Sequence, residues 1–191
     1  MKNLITAVAI LLSLGATAQT NWAIDNAHTS VKFSVTHMKI AQVEGRFTTF
    51  SGTITSSKED FTDAKIDFTV DVNSINTANE MRDKHLKGDD FFNAEKYPNM
   101  TFKSMTLKKV AGDKYKLEGD LTIRDVTKKV SLDVSFNGTA KDPQGNTKAG
   151  FHVTGVIDRF DYNLKWNKLA EAGPVVGKDV TLNIDIELKK Q

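Results

Sequence analysis

DAKIDFTVDV, residues 63–72, alternates without a fault. Ala64, Ile66, Phe68, Val70 and Val72 take one set of positions, and Asp63, Lys65, Asp67, Thr69 and Asp71 take the other. Successive side chains of an extended chain point to opposite sides, so this stretch is a strand with one dry face and one wet face. At 3.6 residues per turn a helix would scatter the same apolar groups around its axis.

The device recurs along the chain. SVKFSVTH aligns Val31, Phe33, Val35 and His37; KYKLEGDLTIR aligns Tyr115, Leu117, Gly119, Leu121 and Ile123. KVSLDVSFNG gives Val130, Leu132, Val134 and Phe136, and GFHVTGVID gives Phe151, Val153, Gly155 and Ile157. DVTLNIDIELK gives Val180, Leu182, Ile184, Ile186 and Leu188. GRFTTFSGTIT and NMTFKSMTLKK read as extended but less regular; Phe47 and Phe50 are out of phase, which predicts a bulge. Turn-forming stretches such as SSKED, AGDK and KDPQGN separate these segments. The reading is all-β, about eight sequential strands, mostly in antiparallel hairpins. Pattern alone leaves a sandwich and a closed barrel open.

NEMRDKHLKGDDFFNAEKYP, residues 79–98, breaks the alternation. Thr77 and Glu80 stand at capping-box spacing, Gly88 can end a helix, and Asp89 or Asp90 can cap a second short one. Residues 76–97 are therefore expected to form short helices between two strands, with Leu86, Phe91, Phe92 and Tyr97 as an apolar plug.

The first 18 residues read as a cleaved signal peptide: Lys2, an apolar run from Leu4 to Leu14, and the small pair Ala16 and Ala18. The run is shorter than the ~20 residues that span a bilayer. A mature domain over 19–191, periplasmic or secreted, is expected. There are no cysteines, so disulfides and thiolate metal sites are excluded. The near-even balance of 26 basic and 24 acidic residues gives no reason to expect nucleic acid.

Four histidines, His28, His37, His85 and His152, have no short ligand spacing, so no metal site is expected. Asp83 and His85 raise an acid–base alternative, a hydrolase or isomerase at a barrel mouth. Residues two apart on a helix face different ways, which favours a structural role for Arg82 and Asp83. No catalytic residue is expected.

WAIDNAHTSVKFSVTHM, VEGRFTTFSGTI, SINTANEMRDKHLKGDDFFNAEKYPNMTFKS, GDLTIRDVTKKVSLDV and VIDRFDYNLKW resemble, in that order, the YceI-like family. The resemblance runs over residues 22–189. It implies an extended eight-stranded antiparallel lipocalin-like barrel with a short helical insertion. It also implies non-enzymatic binding of a long isoprenoid lipid, of isoprenoid quinone or polyprenyl type, for transport, storage or sequestration in the periplasm. The lipid would be a ligand and not a cofactor. A second copy, as a homodimer, is the other partner to consider. The implied bore is lined by Phe33, Val35, Phe68, Val70, Leu121 and Ile123, and by Leu132, Val134, Phe151, Val153, Leu182 and Ile184. His37 and Arg159 are the head-group candidates. The family usually has glycine where this chain has Asp125 and Asn163, which marks both as expected left-handed positions.

Overall fold

Strands β1 (Thr20–Ile24) and β2 (Ser30–His37) share one neighbour and pair on their other sides with two segments consecutive in the chain. β1 lies between β4 (Phe50–Ser56) and β13 (Val176–Lys190); β2 lies between β3 (Ala41–Phe47) and β13. They are two halves of one bent strand. β3 and β4 form the second bent strand, and β5 (Lys65–Asp71) with β6 (Ile75–Asn76) the third. Five unbroken members of the wall follow: β7 (Asn99–Ala111), β8 (Lys114–Ile123), β9 (Val126–Lys141), β10 (Thr147–Asp158) and β13. Each pairs antiparallel with the next, and β13 returns to the first. The result is a closed eight-stranded up-and-down barrel with no strand edge left over at the seam. The computed structural model describes residues 19–171 and 173–191; the expected signal peptide lies outside the described residues. A two-stranded hairpin, β11 (Leu169–Ala170) with β12 (Gly173–Pro174), sits apart from the wall.

The three bends adjoin one another. Residues 25–29 interrupt the first strand, Thr48 and Thr49 the second, and a 3₁₀ turn over Val72–Ser74 the third. Thr48 N–H donates to the Ser74 carbonyl, and Asp71 N–H donates to the Thr49 carbonyl, so neighbouring interruptions satisfy one another. The phase slip between Phe47 and Phe50 is this bend. A similar slip in β7, between Ser104 and Thr106, leaves Met105 outside and returns Leu107 to the interior.

The insertion contains one helix, α1 (Glu80–Lys87), where two were expected. Its N-cap is Asn79, whose side chain accepts from Arg82 N–H, and not Thr77. Residues 89–97 form turns. Thr77 has another role: its hydroxyl and carbonyl accept from Arg82 at 2.8 Å each, while its N–H and hydroxyl donate to Asp83. Arg82 and Asp83 thus clamp the entry to the helix through a buried threonine.

The left-handed positions also differ from expectation. Asn163 is left-handed (φ 61°), but at the other turn it is Arg124 (φ 54°) and not Asp125. That twist sends the Arg124 side chain over the insertion, where it donates to the carbonyls of Asp89, Phe91 and Asn163. The hydrogen bonds donated to these three carbonyls offset the cost of the conformation.

Candidate ligand-binding cavity

The dry faces of the eight strands enclose an apolar cavity of about 160 Å³. Of the residues expected inside, Phe33, Phe68, Val70, Leu121, Ile123 and Leu132 line it, as do Val134, Phe151, Val153, Leu182 and Ile184. Val35 and His37 do not. On β2 the lining stops at Phe33. β6 flanks the β2–β3 hairpin only at Arg46 and Phe47, opposite Lys32 and Val31, so from Phe33 onward the hairpin has no ladder partner on that side among the described residues and runs past the closed part of the wall. Other lining residues, such as Ile66, Leu117, Ile157 and Ile186, continue alternating faces already visible in the sequence.

Two buried clusters rich in aromatic side chains flank this cavity, one of them contributing Phe61 to its lining. Toward the insertion, Phe91 and Ala94 are buried with Tyr162 and Leu164, with Phe92, Leu86 and Trp166 packed against them. The other cluster is centred on Phe61, which is 2% exposed and sits within 5.5 Å of the rings of Trp22, Phe136 and Phe151. Phe61 lies in an irregular loop with φ at 58°, so periodicity gave no sign of it. Asp63 holds that loop. Its carboxylate accepts from Ser56 Oγ at 2.6 Å, from the Ser57 amide and hydroxyl, and from the Lys58 amide. Burial pushes the Asp63 pKa up, but these hydrogen bonds outweigh it and hold the carboxyl well below the usual carboxylate range.

The charged groups fasten the shell around the cavity. Arg159 is 3% exposed. It donates to the carbonyls of Gly177, Leu164, Trp166 and Val176 at 2.7–3.1 Å, which leaves its guanidinium little capacity for a head group. Burial lowers its pKa, and Asp158 partly opposes this. His85 pairs with Asp90 (3.1 Å) and meets Phe91 and Trp166 edge-on, while Asp83 is engaged by Thr77. The Asp83–His85 pair needed by the acid–base alternative is not formed.

Asp25, His28 and Glu187 come together where the first strand bends against β13, in a cluster that could hold a cation. The Lys148 ammonium is that cation: it bonds Asp25 and reaches Glu187 at 3.0 Å. Lys148 holds the Asp25 carboxyl well below its ordinary range. The group staples the barrel seam, and a metal would have to displace an ammonium ion. His152 pairs with Asp185 on the neighbouring strand at 2.7 Å.

What the arrangement offers chemically is an apolar cavity inside the barrel, with the charged groups just described engaged in structural contacts. Among solved structures, the YCEI protein of Campylobacter jejuni shares 36% identity with a TM-score of 0.71, covering 87% of this chain and 96% of that one. BcnA of Burkholderia cenocepacia superposes with a TM-score of 0.74 at 23% identity, covering 86% and 98%. A polyisoprenoid binding domain from Saccharophagus degradans, implicated in plant cell wall breakdown, gives 0.65 at 17% identity, covering 89% and 98%. At those identities the last two speak for the fold. In sequence, UPF0312 protein SA2479 of Staphylococcus aureus is 39% identical over 172 residues, 88% of this chain and 96% of the relative. The YceI-like domain model matches residues 22–188, nearly the whole of the barrel just described, and the chain belongs to the YceI-like family.

Proposed function

We propose that this barrel binds the tail of a long isoprenoid lipid, of quinone or polyprenyl type, without catalysing a reaction on it. The observation that carries the reading is the apolar lining of the barrel interior, to which all eight strands contribute. Burying such a tail gains about 0.8 kcal/mol per CH₂-sized unit, so affinity needs no specific polar contact. The name of the Saccharophagus domain points the same way. Small-molecule sites commonly offer about 300–1,000 Å³. A bore of about 160 Å³ therefore takes a tail of several isoprene units only as its lining side chains pivot.

The proposed setting is the periplasm or the exterior, after removal of residues 1–18, for transport, storage or sequestration. Mass spectrometry of an organic extract of the purified, exported protein tests the ligand; an isoprenoid is expected. An empty extract, together with failure to take up added prenyl lipid, would end the proposal. N-terminal sequencing should begin at Gln19. A chain still starting at Met1 removes the argument for export.

A further inference from the structure

Four large side chains of the bore lean over a glycine on an adjacent strand: Phe33 over Gly45, Phe68 over Gly52, Phe102 over Gly119 and Leu132 over Gly155. Each occupies the space a Cβ would need. A side chain leaning into such a recess lies along the wall and leaves the axis freer than one standing upright.

The four recesses are not equivalent. At Gly52 and Gly119 an added Cβ would also meet a backbone carbonyl, Asp67 O at 2.7 Å or Lys103 O at 2.5 Å. Those two glycines are required by the ladder itself. At Gly45 and Gly155 the close neighbours are side-chain atoms: Phe33 Cε1 at 2.7 Å and the Thr77 methyl at 2.9 Å for the first, Leu132 Cδ2 at 2.5 Å for the second. Ordinary contact begins near 3.4 Å. Alanine at Gly155 would drive Leu132 off the wall by most of an ångström while sparing the backbone; at Gly45 it would displace Phe33 likewise and also press the Thr77 methyl by a few tenths of an ångström. In so narrow a bore that displacement falls on whatever shares it.

We infer that Gly45 and Gly155 are specificity-determining: by letting Phe33 and Leu132 lie back, they give the bore the width to accept a methyl-branched chain in preference to a straight one. An isoprenoid carries a methyl branch on every fourth main-chain carbon and is locally thicker than an alkyl chain of equal length. The inference rests on the lipid-binding reading and adds a rule for which tail is chosen.

The test compares geranylgeraniol with hexadecanol, which has the same main-chain length, on delipidated protein. Wild type should prefer geranylgeraniol. Gly45→Ala and Gly155→Ala should each lose about tenfold in affinity for it, an overpacking cost placed on the complex, and less than about twofold for hexadecanol. Adding Phe33→Leu to Gly45→Ala, or Leu132→Val to Gly155→Ala, should restore the preference. Apo melting temperatures identify a variant that has merely misfolded, and the rescued double variants then carry the comparison. Equal losses for both alcohols, or none, overturn the inference and leave lipid binding intact. Failure of wild type to bind either alcohol overturns both.

Discussion

Arg159 carries a cation into a site where backbone carbonyls are its hydrogen-bond partners. The four carbonyls it satisfies belong to the loop after β10 and to the start of β13, so one side chain ties that loop to the wall. Arg159→Met keeps the bulk and orphans all four. At roughly 1–3 kcal/mol for each buried group that water cannot reach, a loss of about 3 kcal/mol or more is expected in urea unfolding. Arg159→Lys should recover less than half of it, because three donors on one nitrogen cannot reproduce the planar fork. Asp63 gives a pH dependence instead. Its pKa is lower in the folded state than in the unfolded chain, where it is about 3.9. The stabilisation is complete above that unfolded value and is lost as pH falls toward the folded one. Asp63→Asn should therefore be less stable than wild type by a constant amount above about pH 4. The gap should narrow as the pH is taken lower in a series of thermal melts.

At the scale of elements, the wall is simple and its closures are not. Loop 57–64 and the insertion at 79–97 each put aromatic rings across an end of the barrel, but they are built differently. The first hangs on one carboxylate; the second hangs on Thr77 and Arg124. Phe61 is the centre of the first closure. Phe61→Ala should cost about 3–5 kcal/mol in the apo protein, the range for removing a buried aromatic side chain. The same change enlarges the space beside Phe151, so lipid uptake should be retained or quickened in a stopped-flow measurement. A variant that is destabilised and also slow to load would show that Phe61 shapes the bound state and does not merely close the end.

For the whole molecule the question is whether the interior is a bore or a core, and Val153 separates the two. It lines the cavity, is 5% exposed, and faces Val134 and Ile184 on the adjoining strands. Val153→Trp fills space that a tail needs. Co-purified lipid should fall sharply, while the apo form loses less than the 1–3 kcal/mol typical of overpacking a solid core. Apo forms must be compared, because bound lipid stabilises the native state by mass action. No change in lipid together with a full overpacking loss would make the interior an ordinary core.

The sequence by itself determined the strands, the faces they bury and most of the cavity lining. A period of two is a local property, and each residue of Ile66, Phe68 and Val70 announces its side of the sheet without reference to any partner. It also marked the insertion, because 79–98 abandons that period. Barrel closure was legible only through resemblance, since a dry face specifies burial and not what it is buried against. Three things were left to the tertiary structure. The bends at 25–29, 48–49 and 72–74 merge six ladder segments into three strands, and they depend on hydrogen bonds between neighbours distant in sequence. Phe61 sits in a loop whose composition looks like any turn, and only its meeting with Trp22, Phe136 and Phe151 makes it a closure. The lining ends at Phe33 and omits Val35 and His37, although all three share one face of one strand. Alternation says which way a side chain points, but where the enclosed space stops is set by which strands stand opposite.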